Sequence, residues 1–86
     1  MTQCRYEDGL RLRSKGEKLI AESNKLFSEG IRLKSKGMKL KAAGNKVDSR
    51  KFYRQGAKLS AESDRLWGEG RRLYAESEIL WAEESD

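Results

Sequence analysis

Gly30-Ile31-Arg32-Leu33-Lys34-Ser35-Lys36-Gly37-Met38-Lys39-Leu40-Lys41-Ala42-Ala43-Gly44 carries a pattern that the rest of the chain repeats. A glycine returns every seven residues, and a leucine stands three places after each of the first two. Followed outward, the leucine series runs through Leu12, Leu19, Leu26, Leu33, Leu40 and Val47. It restarts at Phe52 and continues through Leu59, Leu66, Leu73 and Leu80. The small series is Gly9, Gly16, Ser23, Gly30, Gly37 and Gly44, then Ser49, Gly56, Ser63, Gly70 and Ser77. In heptad letters the small position is a and the leucine position is d.

A period of seven sustained over this length belongs to helices that supercoil around partners. The glycines sharpen that reading, because each costs about 1 kcal/mol relative to alanine inside a helix. Close approach of two backbones along the small stripe offsets this cost. The expected fold is therefore all-α: an antiparallel helical hairpin of the Alacoil type, with Gly or Ser at a and Leu at d, pairing into a four-helix bundle. Its seam would hold Gly16, Leu19, Leu26, Gly30, Leu33, Gly37, Leu40 and Gly44 against Gly56, Leu59, Leu66, Gly70, Leu73 and Leu80. Position c is basic almost throughout and position g is often glutamate, which marks the solvent side.

Between Val47 and Phe52 the step is five residues, too short for one helix to keep its stripe in line. Gly44-Asn45 supplies a stop and Asp48-Ser49 supplies capping side chains. Residues 1–86 are thus expected to form one domain, with helix 1 over about 3–45, a turn over about 46–48 and helix 2 over about 49–84. Facing pairs are expected to sum to 99 in the leucine layers, as for Leu40/Leu59 and Leu33/Leu66. In the small layers they would sum to 100, as for Gly30/Gly70 and Gly37/Ser63. That pairing leaves Leu12 without an intrachain partner.

Position e then gathers Ile20, Phe27, Trp67, Tyr74 and Trp81, and position b adds Ile31 and Met38. Two helices alone cannot cover such a face, so these seven residues form the expected protein interface, anchored by the aromatics. Residues 31–58 carry ten Lys or Arg against Asp48 alone, while residues 62–86 carry three basic against eight acidic residues. Two hairpins packed antiparallel would lay the basic tip of one over the acidic end of the other. The expected partners are a second copy of the chain and another protein, for which the hairpin would serve as a small adaptor or inhibitor.

Other classes find less support. The basic tip (Lys34, Lys36, Lys39, Lys41, Lys46, Arg50, Lys51, Arg54 and Lys58) could hold phosphates, and the net charge of +5 suits a polyanion. Only Phe52 and Tyr53 accompany it as stacking groups, so nucleic acid is the alternative and not the favoured partner. There is no histidine, and Cys4 is the one cysteine, read as an incidental thiol. No metal, cofactor or catalytic residue is expected, and no enzymatic activity. The N-terminus lacks the apolar core of a signal peptide and no apolar run approaches the ~20 residues of a membrane span. The chain is accordingly expected in the cytoplasm, away from membranes.

Overall fold

The computed structural model describes the backbone of residues 2–84 and the side chains of residues 6–83; Cys4 therefore lies outside the described side chains. Two helices make up the chain, α1 over Thr2–Ala42 and α2 over Lys46–Glu84. They fold back on one another into a rod of 64 × 13 × 12 Å, the expected helical hairpin.

The turn comes three residues earlier than the spacing suggests. It occupies residues 43–45 and not 46–48. Asn45 N–H donates to the Leu40 carbonyl at 2.9 Å and Gly44 N–H to the Lys41 carbonyl at 3.0 Å. This is a Schellman closure, with Gly44 at the left-handed position (φ 89°) that a glycine adopts without strain. Asn45 then caps α2. Its Oδ1 accepts from Asp48 N–H at 3.3 Å, and its Nδ2 donates to Asp48 Oδ2 at 2.9 Å. Asp48 is thus the third residue of the helix, answering the cap, and not the cap itself. One residue ends α1 and begins α2.

That tight turn sets the register. Ser49 Oγ donates to the Gly37 carbonyl at 2.7 Å, and Ser63 Oγ donates to the Ser23 carbonyl at 2.8 Å. A Cβ built on Gly16 would lie 2.7 Å from the Gly70 carbonyl oxygen, and one on Gly30 would lie 3.0 Å from that of Gly56. Every one of these small-residue pairs (Gly37/Ser49, Ser23/Ser63, Gly16/Gly70, Gly30/Gly56) sums to 86, not 100. The expected alignment is two heptads out. Gly44 stands exposed in the turn with nothing near it, and Val47 is two-thirds exposed; neither joins the seam. Helices joined by three residues overlap over their whole length, which the longer alignment would forfeit.

Burial follows the a stripe closely. Gly9, Gly16, Gly30, Gly37, Gly56 and Gly70 are buried, as are Ser23, Ser49, Ser63 and Ser77. Among the described residues no hydrophobic side chain is buried. The leucines flank the seam as a half-buried double row and do not fill it.

Two glycine substitutions separate the seam from the surface. Gly30→Leu must force the helices apart against a carbonyl and should lower the melting temperature sharply by circular dichroism. Gly68→Ala, where a Cβ meets open space, should raise stability by about 0.5–1 kcal/mol. Equal effects at the two positions would contradict the close seam.

Candidate functional site: two apolar faces of the hairpin

With a at the seam, d and e fall on opposite faces of the two-helix ribbon. On the e face, pairs summing to 87 lie level across the helices. Tyr6 and Trp81 are one such pair, with ring centroids 6.0 Å apart and Trp81 Nε1 donating to the Tyr6 carbonyl at 3.4 Å. Arg13 and Tyr74 are another, the guanidinium 4.8 Å from the ring centroid and 5.7 Å from that of Trp81. The N-terminal end of α1 therefore packs on α2 and does not overhang as the longer register required.

The e side chains also fill sockets left by glycines on the facing helix. Added Cβ atoms would meet Ile20 Cγ1 from Gly70 at 2.8 Å, Lys34 Cγ from Gly56 at 2.7 Å and Tyr53 Cδ2 from Gly37 at 2.9 Å. At Gly9 the added Cβ would run into the Trp81 ring. Each of these pairs sums to 90. By the same rule Phe27 faces Ser63 and Trp67 faces Ser23, and both serines are buried. A serine side chain fills part of the socket, so the ring above it must stand outward. Phe27 and Trp67 are each 49% exposed, whereas Ile20, Tyr74 and Trp81 are half-buried; Tyr53, opposite Gly37 beside the turn, is exposed to 41%.

Of the seven residues expected at the interface, Phe27, Ile31, Met38 and Trp67 are exposed, Ile31 to 49% and Met38 to 59%. Ile20, Tyr74 and Trp81 are drawn partly into the hairpin. Cations cover several rings: Arg13 lies over Tyr74 and Trp81, and Arg71 lies 5.3 Å from the Trp67 centroid. The expected register would set Ile20 near Trp81, Phe27 near Tyr74 and Lys34 near Trp67. Instead Trp81 meets Tyr6, Tyr74 meets Arg13, Ile20 lies against Gly70, and Lys34 lies against Gly56 and Ser60.

The d face is different in kind. Leu12, Leu19, Leu26, Leu33 and Leu40 run beside Phe52, Leu59, Leu66, Leu73 and Leu80, all half-buried, with no charged residue between the rows. Charges stand only at its edges. On α2, Arg65 bonds Glu62 through its guanidinium and lies 3.9 Å from Glu69, and Arg72 lies 3.9 Å from Glu76. The Arg65 hydrogen bond holds the Glu62 carboxyl below its ordinary range. This second apolar face is not apparent while d is assigned to the seam. The signal was the unbroken leucine row itself.

The nine cations of the tip do not form one site. Lys41, Lys46 and Arg50 line a recess beside Tyr53 on the e face. Lys36 and Lys39 line another beside Phe52 on the d face, with Lys36 Nζ 4.7 Å from the ring centroid. Lys34 is turned inward, donating to Ser60 Oγ at 3.1 Å. Lys51, Arg54 and Lys58 are exposed along the remaining sides of α2.

Among the described residues no cluster of His, Cys, Asp and Glu could hold a metal ion. No helix among the described residues is long and apolar enough to cross a membrane. The chain matches no protein-family model, no curated protein and no solved structure.

The socket rule is open to a direct check. Ser23→Gly, in a Trp81→Phe background, should let Trp67 settle inward, shifting its fluorescence to the blue and reducing acrylamide quenching. An unchanged spectrum would mean that Ser23 does not hold the indole out.

Proposed function

We propose that this hairpin is a non-enzymatic protein-binding module that self-associates and acts as a small adaptor or inhibitor. One observation carries the reading: the single chain buries no hydrophobic side chain among the described residues. A two-helix rod of 86 residues has little core of its own, and chains this small gain stability by oligomerisation. Two apolar faces on opposite sides of one ribbon are more than a monomer needs, and exposed apolar surface of this kind marks an interface. A four-helix bundle, in which two such hairpins share one face, covers the leucines and keeps the Gly/Ser seam of each Alacoil-type pair intact. The absence of histidine and the exposure of the described carboxylates fit a binding role, and the cytoplasm fits a chain of this composition.

Light scattering coupled to size exclusion tests this reading. The expected mass is twice 9.9 kDa, stable from low to high salt because apolar burial dominates. A mass of 9.9 kDa at all concentrations would remove self-association and leave both faces for other proteins.

A second reading rests on the recess formed by Lys41, Lys46 and Arg50 beside Tyr53. Among the described residues none of these three cations has an acidic partner, so their charge is available to a polyanion such as single-stranded nucleic acid. Binding through it should fall steeply with added salt and drop several-fold in Lys46→Ala with Arg50→Ala. Salt-independent or absent binding of a labelled oligonucleotide would dismiss it.

A further inference from the structure

We infer that the leucine face, and not the aromatic face, is the surface covered by a second copy of this chain. The copies pack antiparallel, with α1 against α1 and a register in which facing residues sum to 44. This deepens the self-association proposed above and rests on it.

Three observations converge. First, the d face is an apolar strip that a cation overlies at one place, near the tip, where Lys36 stacks on Phe52. From Leu12 to Leu40 it extends for about 42 Å at 1.5 Å per residue, and a strip of that length about 20 Å wide offers roughly the 800 Å² per partner of a stable interface. The e face is broken by Arg13, Lys34, Arg50 and Arg71, three of them exposed or stacked on its own rings. Second, the edge of the leucine strip on α1 is charged in an order that complements itself on reversal. Asp8, Lys15, Glu22, Glu29 and Lys36 occupy successive g positions. When α1 meets a reversed α1, Asp8 faces Lys36 and Lys15 faces Glu29, both pairs summing to 44, with Glu22 at the two-fold axis. Third, complete overlap of Thr2–Ala42 with its reversed copy gives the same sum, since 2 faces 42. Charge order and maximal burial therefore select one alignment.

The alternative face-to-face packing, with both tips at one end, lays α1 over α2 of the other copy. It then sets Glu22 and Glu29 among Glu62 and Glu69 and gathers two basic tips together. In the antiparallel arrangement Glu62 and Glu69 do approach their counterparts along α2, but Arg65 already bridges both within its own helix. The ten basic residues of 31–58 then lie over the other copy's open end, where α2 is acidic. The aromatic face, with Phe27, Ile31 and Trp67 projecting, is left on the outside of the bundle.

Charge reversal tests the register because Lys15 and Glu29 are fourteen residues apart on one helix and do not meet within a chain. The exposed ion pair of Glu29 with Arg32 is lost in the single and double Glu29→Lys variants alike, so recovery in the double variant reports the contact between copies. Lys15→Glu alone, or Glu29→Lys alone, should raise the dimer dissociation constant about tenfold at low salt in sedimentation equilibrium. The double variant should return it to within about twofold of the original. Independently, Glu22→Cys in a Cys4→Ser background should form a disulfide-linked dimer on mild oxidation. If the chain is dimeric but the double variant fails to recover and Glu22→Cys stays unlinked, the leucine-face register is wrong while self-association stands. In that case Trp67→Ala with Trp81→Ala should reduce the mass to that of a monomer. A chain that is monomeric throughout overturns both readings.

Discussion

At Gly16–Gly70 and Gly30–Gly56 the carbonyl of each helix occupies the volume where the other would carry a Cβ. The approach is reciprocal: from Gly70 the distance to the Gly16 carbonyl oxygen would be 2.8 Å, and from Gly56 to that of Gly30 also 2.8 Å. Such closeness brings main chain against main chain, so little side-chain bulk remains between the helices. The serines of the same stripe keep the spacing; Ser49 and Ser63 add hydrogen bonds from hydroxyl to facing carbonyl, while Ser23 and Ser77 donate to carbonyls of their own helices. A seam built this way is narrow and polar in its chemistry, and its strength comes from dense packing of small groups.

Everything apolar is consequently pushed to the flanks. The leucines cannot enter a gap already closed by backbone, so they line one side of the ribbon. The e residues line the other: Ile20, Tyr74 and Trp81 sink where the opposing residue is glycine, and Phe27 and Trp67 stand proud where it is serine. Phe27 and Trp67 project for that reason, and their prominence is a property of Ser63 and Ser23 as much as of the rings themselves. The hairpin thus converts one heptad pattern into two surfaces of unlike character, one aliphatic and continuous, the other aromatic and interleaved with arginine and lysine.

Much of this was legible in the chain. The seven-residue period, the small and leucine stripes, and the stop at Gly44-Asn45 led directly to two helices folded back on each other. The register was not legible, because a heptad repeat looks the same after any whole-heptad slide. Only the turn distinguishes the alternatives, and its position depended on seeing that Asn45 serves both helices. Once the alignment is known, Tyr6 meets Trp81 and Arg13 meets Tyr74. Without it, those pairs are invisible and Leu12 wrongly has no neighbour across the seam. Phe27 and Trp67 were legible as interface candidates, but their projection beyond Ile20, Tyr74 and Trp81 was not, since it turns on which a residue each ring faces.

The shared cap has a bearing on how such a chain can change its length. Adding or removing seven residues inside one helix keeps every stripe in phase but leaves a layer dangling at the open end, where Tyr6 and Trp81 now close the rod. Matching additions in both helices lengthen the molecule by a whole layer and disturb nothing else. An insertion in the turn acts otherwise: it frees one helix to slide along the other from one equivalent alignment to the next, like a zip without its end stop. The three residues from Ala43 to Asn45 therefore hold the alignment for the entire rod, and small edits there would reshuffle contacts tens of ångströms away.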